Sequence, residues 1–304
     1  MSVQATVVAA AQLGAYQRSL PAVSQRPVLE VRVSRLVPPP PLTAVCPGYE
    51  QRAWRDEALA RDTFDRHLPS FALPYSVRSA INETTAAALL RRAAKAVYAT
   101  DKYSKRGEFG ELLLHAICRD IFGSHPAISK ITFKDAANDT VKGFDSVHVI
   151  EAGERLELWL GEVKFYDNLT KAIYDVTSEL ALHLKGDYLR AEFVPVVNKL
   201  DPSWPHTPRI ERLLDENASL DEVFDVLTIP VLCTYDSKAV GDHDSVCAAY
   251  IAQLTAEAED AWANFTSKCD PLWEVQLRLI LLPLLSKSRL VELMQKRLLA
   301  WQQI

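Results

Sequence analysis

The chain has 304 residues, 48% of them hydrophobic and 24% charged, which suits one large globular domain or two modest ones and excludes a disordered or fibrous protein. A formal net charge of −5 disfavours strong unaided binding to nucleic acid, because phosphate contacts require a basic surface, but it leaves room for a local basic cleft or a partner that delivers the substrate. The five cysteines form no CxxC pair, and no apolar run reaches the roughly 20 residues of a membrane-spanning helix, so we expect a cytoplasmic protein that does not cross a membrane.

Residues 1–76 are weakly patterned and are predicted to form an N-terminal extension of a domain at 77–304. Apolar and charged residues alternate over 29–33 as in a short strand. The proline run at 38–41 then blocks both a helix and a sheet ladder. The charged stretch from Glu50 to Arg66 is predicted to be helical.

The domain at 77–304 is predicted to be mixed α/β, with a central sheet flanked by helices. Apolar residues at helical spacing mark its helices, and alternating or continuous apolar runs mark its strands. The predicted helices are 77–100, 108–122, 169–184, 245–268 and 288–302. The predicted strands are 128–134, 144–150, 156–165, 226–235 and 275–285, and a short turn at 151–154 joins two of them as a hairpin.

Two charged residues end the predicted strand at 156–165. Alternate residues of a strand share a face, so Glu162 and Lys164 continue the row of Leu158 and Leu160. The other face is also apolar, which is typical of a central, buried strand. Charges in such a place are costly unless they are paired or bound to a metal.

Asp145 comes close to Glu162 if the two strands of the hairpin pair. Neighbouring carboxylates repel each other, and a divalent cation relieves the repulsion. This arrangement suits phosphodiester hydrolysis, in which Asp145 and Glu162 would hold Mg²⁺, with Mn²⁺ as a substitute ion. Lys164 would orient or deprotonate the attacking water and stabilise the charge that develops on the phosphate.

A third carboxylate ligand is predicted on the preceding helix. Glu111 lies on the apolar stripe of the helix at 108–122, and Gly110 beside it allows the backbone to approach the sheet. Glu108, one turn earlier, is the less favoured candidate. By itself, an Asp and a Glu-x-Lys at this spacing are common and usually belong to surface ion pairs. The buried strand and the inward glutamate are what favour a catalytic site here.

Three motifs in this order resemble the nuclease domain of HamA-type proteins of Hachiman anti-phage defence, most clearly over 105–190. They are Gly107-Glu108-Phe109-Gly110-Glu111, Gly143-Phe144-Asp145 and Leu160-Gly161-Glu162-Val163-Lys164-Phe165-Tyr166. The resemblance implies a PD-(D/E)xK fold and a nuclease that a HamB-type superfamily 2 helicase holds inactive until the helicase meets damaged or invading DNA. It places Asp145 at the aspartate of the motif, Glu162 and Lys164 at its ExK pair, and Glu111 at the helix glutamate. Phe144 stands where a proline gives the motif its name.

Weaker signals lie beside these motifs. Three residues that flank the apolar stripe of the helix at 169–184 are candidate DNA contacts, or an ordinary solvated face: Lys171, Tyr174 and Ser178. A basic loop before the helix at 108–122 is likewise either a phosphate-binding patch or a solvated loop: Lys102, Lys105 and Arg106. His115 and His148 are interpreted as structural.

Two other functions remain open at this point. A stand-alone restriction or repair endonuclease would bind DNA tightly by itself, which the net charge of −5 disfavours. A non-catalytic subunit that docks a helicase would be free to lose its acidic residues, which this chain retains. The chain has no GxxxxGK[ST] motif, so any ATP-driven step belongs to a partner.

Overall fold

A mixed seven-stranded sheet with helices on both faces organises the chain, as the sequence predicted. The computed structural model describes residues 26–97, 107–129, 143–153, 155–269 and 275–304. The strands are β1 (Glu30–Arg35), β2 (Leu42–Cys46), β3 (Tyr49–Glu50), β4 (Ala53–Trp54), β5 (His125–Ser129), β6 (Ser146–Ala152), β7 (Arg155–Lys164), β8 (Leu227–Asp236) and β9 (Gln276–Leu284). The helices are α1 (Asp56–Asp62), α2 (Leu68–Ala72), α3 (Tyr75–Arg78), α4 (Ala86–Ala96), α5 (Gly107–Phe122), α6 (Leu169–His183), α7 (Gly186–Lys199), α8 (Thr207–Leu213), α9 (Leu220–Phe224), α10 (Lys238–Asp242), α11 (Ala248–Thr266) and α12 (Lys287–Gln302).

The strand order across the sheet is β1-β2-β9-β8-β7-β6-β5, while β3 and β4 form a separate hairpin. Strands β2, β9, β8 and β7 run parallel to one another, and antiparallel pairs complete the sheet at both edges. The predicted hairpin is confirmed, since β6 and β7 pair antiparallel around the turn at Gly153. Its open end meets the carboxyl ends of the parallel strands, where ligands of α/β proteins usually bind.

Strand β7 lies between two apolar layers, as predicted for a buried central strand. Leu158 and Leu160 pack in the layer that contains helix α6. Trp159 and Val163 pack in the opposite layer, which contains helix α5. The polar row that ends β7 therefore lies on the α6 side of the sheet.

Helix α5 packs closely against the end of β7. A Cβ atom built on Gly110 would lie 2.7 Å from Cβ of Phe165, and one built on Gly161 would lie 2.3 Å from Oγ of Ser146. Larger residues at either position would push the helix or the neighbouring strand away. The close approach that the sequence predicted for Gly110 is confirmed.

The described part of the N-terminal segment, 26–76, contributes two strands to the sheet. The predicted strand over 29–33 is confirmed as β1, and a second strand, β2, follows the proline run. Strand β2 is buried and pairs parallel with β9, with Leu42 opposite Leu279. The boundary at residue 76 stays a prediction, but strands on both sides of it share one sheet.

Two predicted helices are divided in the structure. The helix expected from Glu50 to Arg66 begins only at Asp56, because Gln51 and Arg52 have positive φ angles and turn the β3–β4 hairpin. The helix expected over 77–100 is interrupted because the Asn82 side chain accepts hydrogen bonds from the backbone of Thr84 and Thr85, an alternative to helical bonding. Residues 98–100 lie outside the described part of the chain.

The remaining predicted elements agree with the structure in type. Strand β5 begins at His125 rather than 128, and residues 130–134 of that prediction lie outside the described residues. Helices α7 to α10 were not predicted. Among the described residues, no helix is both long enough and apolar enough to span a membrane.

Candidate active site

The β6–β7 hairpin brings Asp145 and Glu162 together. The backbone N–H of Asp145 donates to the Gly161 carbonyl at 2.8 Å, and Ser146 pairs with Gly161, so Asp145 lies opposite Glu162 at the open end of the ladder. The backbone N–H of Val163 donates to Asp145 Oδ2 at 2.8 Å. That bond fixes the carboxylate against the end of β7. Both acidic side chains are buried.

Lys164 joins the same site through two carboxylates. Its ammonium group donates to Glu162 Oε1 at 3.1 Å and to Glu179 Oε2 at 2.5 Å. Lys164 is buried together with Glu162, whereas Glu179 is partly exposed on helix α6. The structure therefore brings the predicted Asp145, Glu162 and Lys164 into one buried cluster.

Helix α6 also places an imidazole at the cluster. His183 Nδ1 lies 3.8 Å from Glu162 Oε2. The ring stacks on Tyr188 with centroids 4.6 Å apart, and Phe144 meets it edge-on at 5.4 Å. Phe144, at the position that gives the motif its proline, thus packs against the residue that borders Glu162.

Glu179 and His183 were not predicted from the sequence. A signal for them exists, because Lys171, Asp175, Glu179 and His183 recur at every fourth residue and form one polar ridge along α6. Only the tertiary structure shows that this ridge faces the end of β7.

The electrostatic environment keeps Lys164 charged. Burial alone would lower the pKa of Lys164, but the Glu162 and Glu179 carboxylates outweigh burial and raise that pKa above its ordinary value. Burial, and then the Asp145 carboxylate, raise the pKa of Glu162 well above its usual range, although Lys164 opposes them. Of the two roles predicted for Lys164, stabilisation of negative charge therefore fits the structure better than removal of a proton from water.

The acidic groups fit a divalent cation. Glu162 Oε2 is buried and accepts no hydrogen bond from any described residue, and the charge of Asp145 lies near it. Carboxylate oxygens are the hard ligands that Mg²⁺ and Mn²⁺ prefer. A cation bound by Asp145 and Glu162 would remove both the repulsion and the unsatisfied acceptor.

A family model described as HamA matches residues 26–298. The chain belongs to the HamA family. It is therefore a HamA-type protein of the Hachiman system, a component of anti-phage defence. No curated protein matches the sequence.

The HamA match extends well beyond the motif region at 105–190. It begins at residue 26 and so includes strands β1 and β2, which join the same sheet as the acidic cluster. The family thus covers both the segment that carries no motif and the domain that carries all of them.

One group of three close potential metal ligands is present among the described residues of this HamA protein, and it does not include Asp145, Glu162 or Glu111. In the part of the chain that the structure describes, Asp62, His67 and Asp120 are the three such side chains whose ligand atoms all lie within 4.8 Å of one another. The Arg66 guanidinium bonds to Asp62 at 3.0 Å and to Asp120 at 2.8 Å. Since an arginine already supplies the positive charge, we interpret this group as a structural ion-pair network.

The predicted third ligand, Glu111, is buried on α5. Helices α5 and α6 cover opposite faces of β7. Glu111 on α5 and Glu179 on α6 therefore lie on opposite sides of the sheet. The inward orientation that the sequence predicted agrees with this burial. Its role as a ligand stays a prediction.

The predicted DNA contacts Lys171, Tyr174 and Ser178 share the exposed side of α6. Tyr174 is 62% exposed, whereas Lys171 is bound to Asp175 at 2.6 Å. The Ser178 hydroxyl donates to the Tyr174 carbonyl. Their contact with DNA stays a prediction, and the basic loop with Lys102, Lys105 and Arg106 lies outside the described residues.

Proposed function

We propose that this HamA protein is a Mg²⁺-dependent DNA nuclease of the PD-(D/E)xK type, the effector that cuts DNA in Hachiman defence. The observation that carries the proposal is the buried Glu162 carboxylate, which has one unsatisfied oxygen, the charge of Asp145 acting on it, and a lysine held at its other oxygen. Acidic groups that need a cation, next to a fixed ammonium, form a combination that suits phosphodiester hydrolysis.

Each residue has a distinct role in the proposal. Asp145 and Glu162 would hold Mg²⁺ or Mn²⁺, with Glu111 as a third carboxylate. The bound ion would supply a Lewis acid that polarises the phosphate and lowers the pKa of a bound water. Lys164, kept as an ammonium, would stabilise the negative charge that develops on the phosphate oxygens.

The exposed side of α6 would meet the DNA beside this cluster. Tyr174 has the free ring face on which an unpaired base can stack. Lys171 would exchange its bond to Asp175 for a phosphate, and the Ser178 hydroxyl would contact the backbone. With a net charge of −5, the chain would rely on a partner to bring DNA to these residues.

That partner is proposed to be a HamB-type superfamily 2 helicase, which would hold the nuclease inactive and deliver DNA to it. The proposal is supported by membership of the HamA family and by the acidic net charge. We place the complex in the cytoplasm, where reduced thiols such as the five free cysteines are the rule.

The test is a plasmid-degradation assay in Mg²⁺ or EDTA, with and without the helicase. We expect the wild-type complex to degrade DNA only when metal is present, and we expect Glu162→Gln and Lys164→Ala to abolish degradation and phage protection. Asp187→Asn, at an exposed carboxylate on α7, is the matched control and should retain full activity. Full activity of both site variants would end the proposal, and a wild-type complex that protects cells without cutting DNA would favour a docking subunit.

A further inference from the structure

Strand β7 and helix α6 match each other residue by residue at the candidate site. Glu162, Lys164 and Tyr166 alternate along the end of β7 and the residues that follow it. His183 borders Glu162, Glu179 binds Lys164, and the Asp175 carboxylate interacts with the Tyr166 hydroxyl. The two rows run in opposite directions, so each polar residue of the strand has its own partner on the helix.

The spacing of the two rows explains why they stay in register. Alternate residues of a strand are about 6.6 Å apart, and residues four apart on a helix are about 6.0 Å apart. Three successive pairs can therefore form without bending either element. The match fixes where the Glu179 carboxylate lies, although that side chain is 44% exposed.

The middle pair, Lys164 and Glu179, determines where the Lys164 ammonium group lies. Its ammonium group is shared between Glu162 Oε1 and Glu179 Oε2. If Glu179 lost its charge, the attraction of Glu162 would dominate and draw the ammonium fully onto that carboxylate. A lysine closed onto Glu162 would be displaced from the phosphate that it is proposed to face.

We propose that Glu179 is a positioning residue for Lys164, holding the ammonium between the two elements so that it faces the scissile phosphate. This inference rests on the proposed nuclease function and assigns Glu179 no contact with the metal or the DNA. The Glu179 carboxylate holds the Lys164 ammonium, and His183 borders the neighbouring Glu162 in the same ridge.

The test compares Glu179→Gln, Glu179→Asp, Glu162→Gln and Asp187→Asn in the purified complex. The kinetic readouts are kcat and KM for DNA, and a separate readout is Mg²⁺ binding to the chain by calorimetry without DNA. We expect Glu179→Gln to lower kcat by roughly 10- to 100-fold and to leave KM within about twofold, because a misplaced catalytic group affects the transition state more than binding. Glu179→Asp should restore part of kcat, and Asp187→Asn should match the wild type.

The metal readout separates a positioning role from a ligand role. We expect Glu179→Gln to bind Mg²⁺ no more than about threefold more weakly than the wild type, while Glu162→Gln loses binding. Wild-type kcat in Glu179→Gln would overturn the inference and leave the nuclease proposal standing. Loss of Mg²⁺ binding in Glu179→Gln as complete as in Glu162→Gln would also overturn it, because Glu179 would then be a ligand. Absence of cleavage by the wild type would instead reject the proposed function.

Discussion

Gly143, two residues before Asp145, sets the direction of the chain as it enters the site. Its φ angle is +128°, in the region that residues with side chains rarely adopt. A Cβ atom built there would lie 2.0 Å from Oε2 of Glu192 on helix α7. The glycine therefore allows α7 to approach the loop that delivers Asp145 to the sheet.

Replacement of Gly143 by alanine should destabilise the protein. We expect Gly143→Ala to lower the free energy of unfolding by about 1–3 kcal/mol, mainly from backbone strain, because the Glu192 carboxylate can move away from the added Cβ. Gly107→Ala is the matched control, since nothing lies within 4 Å of its added Cβ and it should change stability by less than about 0.5 kcal/mol. Chemical denaturation measures both variants, and equal stability of the two would contradict this explanation.

At the same scale, the sequence predicts Asp145, Glu162 and Lys164 because strand periodicity alone puts the last two on one face. Burial of that strand then makes their charges costly, which is visible from the flanking leucines. Glu179 and His183 cannot be predicted in this way. Their partners lie across a strand–helix contact, and no periodicity within α6 tells which residue of β7 each one meets.

At the scale of elements, a buried chain of hydrogen bonds ties helix α5 to strand β6 and helix α2. Ser124 Oγ lies 2.7 Å from His148 Nδ1, and His148 Nε2 lies 3.1 Å from His115 Nδ1. His115 Nε2 in turn lies 2.9 Å from Ser70 Oγ, which also accepts from Arg119. The predicted structural role of both histidines agrees with these contacts.

One arrangement of protons satisfies this chain with both rings neutral. The Ser70 hydroxyl donates to the His67 carbonyl, so His115 donates to Ser70 through Nε2–H and accepts through Nδ1. His148 then donates through Nε2–H, and Ser124 donates to His148 Nδ1. Burial first, and nearby positive groups second, lower the pKa of His148 to about 3 and that of His115 well below its ordinary value.

This network predicts a specific loss of stability in acid. Below pH 6.5 the unfolded chain binds a proton at His148, whereas the folded chain binds that proton only near pH 3. The contribution of His148 to the free energy of unfolding is therefore fully present above pH 6.5 and is lost as the pH falls toward 3. The contribution is about 1.4 kcal/mol per pH unit, or roughly 2 kcal/mol at pH 5. Urea denaturation between pH 7 and 4 should show a shallower dependence for His148→Gln than for the wild type. Equal slopes in the wild type and His148→Gln would refute the assignment.

Sequence patterns predict elements best where each one carries its own period. The stripe of α6 and the apolar runs of β7, β8 and β9 are of this kind. The β3–β4 hairpin was missed because two non-glycine residues, Gln51 and Arg52, adopt positive φ angles that composition does not suggest. The position of strand β2 is not evident from the sequence because its five residues are buried by pairing with β9, a contact more than two hundred residues away in sequence.

At the scale of the whole molecule, one sheet joins the N-terminal strands to the cluster of Asp145, Glu162 and Lys164. The family match over 26–298 spans the same sheet. An overall charge of −5 coexists with a local site in which two carboxylates face too little positive charge. Both features suit a nuclease that gains a cation at its site and its DNA through a partner.

The most direct test of the central claim is the location of a bound metal ion. Crystals of the protein soaked in Mn²⁺ would show each bound ion by anomalous scattering. We predict a peak held by the carboxylate oxygens of Asp145 and Glu162, absent from the Asp145→Asn variant. A peak found solely at the Asp62–His67–Asp120 group, with none at Glu162, would contradict the account.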